Sequence, residues 1–241
     1  MVHLKRLAAP PHLDIKVKEY VFTIAPRPGP HPKTVCIPLL LILREYLGYA
    51  ERADEAKKII KAGKILVDGR IIRDYKFPVG LMDVVSIPDT GENYRILPVY
   101  RKGLRLIEIP REESGVKLGK IIRKMHVARA RLQLTLHDGR NILFKEVTDE
   151  VRQINTRDTL KISVPSQTIL DHVRLEEGYY ALIIRGSKQG LHGRIIEINR
   201  DTPYPSKATI RLSETKIGEV STILDYVMVV GREKPEIILP L

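Results

Sequence analysis

The chain has 241 residues, 43% of them hydrophobic, one cysteine, and a net charge of +12 from 41 basic and 29 acidic side chains. That length suits one large domain or two or three small ones with real cores, and a lone Cys36 excludes a disulfide framework or a thiolate zinc site. The charge selects a polyanionic partner, either nucleic acid or an anionic surface.

The excess charge is unevenly spread: +4 over residues 1–36, +1 over 37–90, +7 over 91–170 and zero over 171–241. The seven histidines, at 3, 12, 31, 126, 137, 172 and 192, form no HxxxH or HxH pair, so no metal site is expected. The only dense apolar run, VCIPLLLIL at 35–43, is far short of the roughly 20 residues of a membrane-spanning helix. It also lies too far from the N-terminus for a signal peptide. A soluble, unsecreted protein is expected.

Residues 1–36 read as an arm. HLKRLAAPPH (3–12) is basic, and APRPGPHPK (25–33) places Pro26, Pro28, Pro30 and Pro32 at alternate positions, which forbids helix and favours an extended polyproline-like backbone. Lys5, Arg6, Arg27 and Lys33 make it a cationic thread that would become ordered along phosphates. Next, Pro38 suits the first turn of a helix over LLLILREYL (39–47). A second helix starts near Asp54, a candidate N-cap, and stops at Gly63. KILVDGRII (64–72) is a hairpin turning at Asp-Gly, and GLMDVVSI (80–87) is a further strand. From about 95 the pattern is period-two strands, with another Asp-Gly turn in RLQLTLHDGRNILF (131–144) and short strands at 160–165, 179–200, 208–214 and 226–232. The last of these, around a glycine-rich turn, read as a small barrel.

On a helical wheel Lys57 and Lys61 share a face flanked by Lys58, while Ala56, Ile59, Ile60 and Gly63 cluster opposite. Lys64 enters the hairpin beside that ridge, and Arg70, Arg73 and Lys76 follow its turn. The result is a groove edged with cations at phosphate spacing. A second basic run, VKLGKIIRKMHVARARLQL (116–134), holds Lys117, Lys120, Arg123, Lys124, Arg129 and Arg131 with no acid between Glu113 and Asp138. With aromatics at 5% and no Trp, base-stacking platforms do not dominate; neutralisation of phosphates does.

The pattern of Arg52, Asp54, Lys57, Lys58, Lys61, Gly63, Val67, Asp68, Gly69, Pro78, Gly80, Asp83 and Val84 resembles the S-four RNA-binding module, or αL motif, which occurs in ribosomal proteins and in several RNA-modifying enzymes. RGSKQGLHGRII (185–196) resembles the KOW motif of SH3-like barrels, with Arg185 and Lys188 beside Gly186, Gly190 and Gly193. Gln189 stands where that pattern usually has a basic residue. Taken in order, arm, module, basic β-rich middle and KOW-like turn resemble the S-four-e family of small-subunit ribosomal proteins, supported by HLKRLAAP, APRPGPHP, GLMDVVSI, TGENYR and HDGRNI. The end at PEIILPL lacks the basic extension of eukaryotic members, which implies an archaeal type.

The resemblance implies an α+β multidomain chain. Its parts would be a basic extended arm (1–36), an S-four-type module (37–95), a central β-rich domain (96–170), an SH3-like KOW barrel (171–232) and a tail (233–241). It implies a cytoplasmic, ribosome-bound structural component placed on small-subunit ribosomal RNA near the 5′ domain, among neighbouring ribosomal proteins. No cofactor, membrane or small-molecule substrate is expected.

The alternatives are an RNA-modifying enzyme or a non-ribosomal translation factor that carries the module. A pseudouridine synthase needs a catalytic aspartate, but Asp138 precedes a glycine between alternating strands, as a two-residue hairpin turn requires. A methyltransferase needs a glycine-rich loop within a βαβ unit, and glycines 186, 190 and 193 have the wrong spacing. No Ser-His-Asp or Cys-His set is suggested.

Overall fold

The computed structural model describes residues 4–127, 131–199, 207–212 and 218–240. The chain divides into two units, one of Met1–Pro98 with Lys102–Gly115, the other of Val99–Arg101 with Val116–Leu241.

In the first unit, β1 (Leu4–Lys5) pairs antiparallel with β2 (Phe22–Thr23), and β3 (Ile37–Pro38) leads into α1 (Leu39–Leu41). Pro38 lies just before the helix, with an extended ψ of 136°. The helix continues as a π-helical turn, Ile42–Tyr46, whose closing bond runs from the Leu47 N–H to the Ile42 carbonyl at 2.9 Å. Residues 39–43 are buried on all sides, which is why this stretch shows no amphipathic pattern. In α2 (Ala53–Lys61) only Ala56 and Ile60 are fully buried. Its N-cap is Arg52 rather than Asp54, because Glu55 Oε2 accepts the Arg52 N–H at 3.2 Å. Gly63 follows at φ 76°, the left-handed helix stop that the sequence predicts.

β4 (Leu66–Val67) and β5 (Arg70–Ile71) form the predicted hairpin, with Asp68 and Gly69 both at positive φ (49° and 72°) as a type I′ turn requires. β6 (Pro78–Val79) pairs with β3. β7 (Val84–Ile87), β8 (Glu92–Val99) and β9 (Gly103–Glu108) complete a five-stranded sheet in the order β5-β4-β7-β8-β9, and α3 (Arg111–Ser114) follows. The module's sheet therefore runs beyond residue 95 to Glu108. Its core joins α1, α2 and the sheet to Leu13 and Ile15 of the N-terminal segment.

That segment differs from a loose thread. The Arg27 N–H donates to the Lys76 carbonyl at 3.0 Å, Gly29 lies against Pro78, where a Cβ would come within 2.6 Å of Cγ, and the buried His31 ring covers Gly80. The contacts step by two on both sides, 27–76, 29–78 and 31–80. The prolines occupy the intervening positions and no helix forms over 25–32, as predicted, although the backbone bends at 28–31 rather than running straight, and the residues facing the module are those between the prolines. His31 Nε2 lies 2.9 Å from Asp83 Oδ2, which also accepts the Gly80 N–H at 2.9 Å. Buried polar contacts of this kind fix one docking register.

In the second unit, β10 (Val116–Val127), β11 (Arg131–Leu136) and β12 (Asn141–Phe144) are followed by α4 (Asp149–Gln153), β13 (Thr159–Ser163) and β14 (Ile169–Val173). They form an antiparallel sheet in the order β12-β11-β10-β13-β14. β15 (Tyr180–Ile183), β16 (His192–Asn199), β17 (Lys207–Leu212), β18 (Glu219–Ile223) and β19 (Val227–Gly231) form another in the order β18-β17-β16-β15-β19. One apolar cluster lies on the first of these sheets, and a second, on the other sheet, also takes in Val173 of β14. The Leu136 N–H on the Arg140 carbonyl at 2.8 Å closes the turn between β11 and β12 around three residues, 137–139, rather than two, with Gly139 at φ 78°. No helix among the described residues is long and apolar enough to cross a membrane.

Candidate nucleic-acid interface

The first unit turns most of its predicted cations outward. Lys58 and Lys61 are exposed on α2 and make no ion pair among the described residues. Arg52 is exposed at the N-cap, and Lys57, one turn from Lys61, is half-buried. Lys57 Nζ donates to Asp54 at 3.0 Å and lies 5.5 Å from the centre of the Tyr75 ring. Lys76 sits over the same ring at 5.7 Å. Two ammonium groups from different elements thus meet at Tyr75, an arrangement that holds both stems by cation–π attraction. Sequence reasoning passed over Tyr75; the available signal was its place directly before Lys76 in RDYKF.

Exposed Arg27 reaches Asp74 at 3.1 Å, bringing the N-terminal segment to the edge of this patch. Arg73 is exposed beside Gly63 at the end of α2, and Arg70 is exposed on β5. Lys64 is exposed and pairs with Asp89 at 2.7 Å. These surface ion pairs are individually weak and exchangeable, so they do not prevent the cations from meeting phosphate. Lys5 and Lys33 are also exposed.

Arg6 corrects the reading of an outward cationic arm. It is buried, donating to Glu45 at 3.1 Å, to Glu19 at 3.5 Å and to the Lys16 carbonyl at 2.5 Å, with its guanidinium 5.0 Å from the Tyr20 ring centre. It fastens the segment to the π-helical turn. Two of the module's acids, Asp68 and Asp83, are structural as well. Asp68 is buried and accepts the Val84 N–H at 3.0 Å, while Asp83 holds Gly80 and His31. The motif therefore sorts by burial into a scaffold of Asp68, Asp83 and Gly80 and a ridge of cations.

The second unit treats its basic run differently. Lys117 is buried against Asp138 at 2.9 Å. Burial, the largest single influence, would raise the Asp138 pKa, but the charge and hydrogen bond of Lys117, with His137 and the Arg140 N–H, together outweigh it and hold the carboxyl at about 2. Lys120 is buried and donates to the Asp225 and Val227 carbonyls at 2.7 and 2.6 Å. Burial brings its pKa down to about 7, against the pull of Asp225. Lys124 donates to the Arg152 and Ile154 carbonyls at 2.7 Å, capping the C-terminal end of α4. Arg123 is exposed, Arg131 half-buried, and Arg129 lies outside the described residues. The expectation of an outward cationic run fails for Lys117 and Lys120, because β10 is the middle strand of its sheet and residues 117–121 are buried.

In the KOW-like turn Arg185 is exposed, while half-buried Lys188 donates to the Ser221 carbonyl at 3.1 Å. Gly190, at φ 93°, lies against the chain's own backbone: a Cβ there would overlap the Tyr100 amide and Val99. That glycine accommodates the protein's own backbone.

The model of the ribosomal family S4e matches residues 90–169, that of the RS4NT domain residues 2–34, and that of the S4 domain residues 38–85. The small ribosomal subunit protein eS4 of Methanocaldococcus jannaschii is 49% identical, covering 97% of this chain and 95% of the relative. That of Staphylothermus marinus is 44% identical, covering 99% and 95%. A crystal structure of the 30S ribosomal protein S4e from Thermoplasma acidophilum superposes with a TM-score of 0.67 at 32% identity, covering 82% of this chain and 94% of that one.

Proposed function

The chain belongs to the ribosomal S4e family, and from that premise we propose that it is a structural, non-enzymatic constituent of the small ribosomal subunit, bound to ribosomal RNA on cytoplasmic ribosomes. The observation that carries the reading is the cation ridge of α2, with Lys58 and Lys61 outward on a helix whose other side is locked into the core. Such a ridge displaces condensed counterions from a folded polynucleotide, so binding follows phosphate geometry more than base identity.

The RNA partner is the 5′ domain of the small-subunit RNA, as the family resemblance implies, and other ribosomal proteins adjoin it. The C-terminal sheet is of the SH3-like KOW kind, a reading supported by its antiparallel meander, by Gly186 and Gly190 at the β15–β16 turn and by Gly193 at the start of β16. Two measurements test the function. The chain should be present in one copy per small subunit after a high-salt wash, whereas recovery only in the soluble pool would mark a transient factor. Purified protein should bind small-subunit RNA with an affinity that falls by orders of magnitude from low to moderate salt, as about six to ten phosphate contacts dictate.

A further inference from the structure

Within the second unit, between its two sheets, lies a cavity of about 440 Å³, within the size range of sites that admit a small ligand group. Lys120, His137, Arg157, Arg185 and Asp225 line it, with Ile184 on the wall. Its charges do not balance. Asp225 is matched one for one by Arg157, whose Nε donates to Oδ1 at 2.6 Å. Lys120 directs two of its three protons to backbone carbonyls, which carry no net charge. Arg185 is exposed at the mouth and meets no carboxylate among the described residues. Arg157 and Arg185 both lie close enough to Lys120 to oppose its protonation, in the same direction as its burial.

The backbone supplies a second sign. Arg157 has φ 76°, a left-handed conformation unusual for a long side chain, and its N–H is held on the Ile121 carbonyl at 2.8 Å. The bond fixes where the guanidinium departs into the cavity.

We propose that this cavity takes a phosphate of the ribosomal RNA backbone, with Arg185 and Arg157 as the donors and Lys120 as the charge behind them. Guanidinium forks match phosphate oxygens in pairs, and an anion there offsets the repulsion between the two guanidinium groups and favours the protonated form of Lys120. The inference rests on the rRNA-binding reading and adds to it a contact on the second unit, away from the α2 ridge.

The test uses the full chain and small-subunit RNA over a salt series. Arg185→Ala should lower affinity about tenfold, the loss of one charge-assisted contact, and reduce the slope of log affinity on log salt by about 0.9 for a duplex phosphate. Arg185→Lys, which keeps the charge without the fork, should fall between the two. Asp225→Asn keeps an oxygen for Arg157 but removes the competing charge, so it should bind more tightly than wild type. If all three bind as wild type while Lys57→Ala/Lys61→Ala loses affinity, the cavity is not an RNA contact and the ribosomal reading stands. If wild type itself shows no salt-dependent binding, it is the ribosomal reading that fails. Inorganic phosphate is the last arm. Saturable NMR shifts of the Arg157 and Arg185 side chains that RNA does not reproduce would make this a small-anion site and overturn the proposal.

Discussion

The α2 ridge and the start of β10 carry similar densities of lysine, yet one presents them to solvent and the other buries them. In α2 the 3.6-residue period gathers Lys57, Lys58 and Lys61 on the side away from Ala56 and Ile60. In β10 successive side chains point to opposite faces, and over residues 117–121 both faces are covered, so Lys117 and Lys120 are buried, whereas Arg123 farther along the same strand is exposed. A buried cation must be paired or hydrogen-bonded. Lys117 has Asp138, and Lys120 has two carbonyls. The secondary-structure element and its burial, more than the number of cations, decide whether a basic run serves as an RNA contact or as an internal fastening.

The contrast breaks most easily at Lys117. Replacing it with alanine leaves the Asp138 carboxylate buried without its ammonium partner and should cost about 3–5 kcal/mol in denaturant unfolding. A loss under about 1 kcal/mol, the range of exposed bridges, would erase the distinction between the two runs. The same pair predicts a pH response. Asp138 is held at about 2, below an unfolded carboxylate near 3.9. Its contribution is therefore complete above about pH 4 and lost as pH falls toward 2. Asp138→Asn should flatten the acid limb of the stability curve over that interval.

Gly190→Ala comes next. It forces a side chain at φ 93° into the Tyr100 backbone and should cost at least about 2 kcal/mol by thermal or denaturant unfolding. On the outward side, Lys57→Ala/Lys61→Ala should weaken RNA binding about tenfold while changing stability by less than about 0.5 kcal/mol; RNA binding equal to wild type would remove the ridge from the interface. The finest test is amide exchange in the RNA-free protein. The Arg6 and Arg27 amides, bonded to the Val21 and Lys76 carbonyls, should exchange more slowly than that of exposed Lys18.

Where local chemistry decided the structure, the sequence was legible. Gly63 ends α2, Asp68-Gly69 turns the β4–β5 hairpin, and the α2 ridge lies where the helical wheel puts it. What escaped was settled by partners distant in sequence. Nothing near Arg6 announces Glu45, nothing near His31 announces Asp83, and Lys117 reads as a surface residue until the turn at 137–139 returns Asp138 to it. The extension of the module's sheet into β9 was hidden in the same way, because period-two strands look alike whichever sheet they join. Of the interface, the ridge was readable, whereas the meeting of Lys57 and Lys76 at Tyr75 needed the fold.

The stepped docking of Arg27, Gly29 and His31 along residues 76–80 has a consequence for length variation. Inserting or deleting a single residue between 27 and 31 would slide prolines into the places now taken by an amide donor, a missing side chain and an imidazole. Homologous chains should therefore change length here in pairs of residues or leave it alone, and a one-residue frameshift of the segment should detach it as a whole.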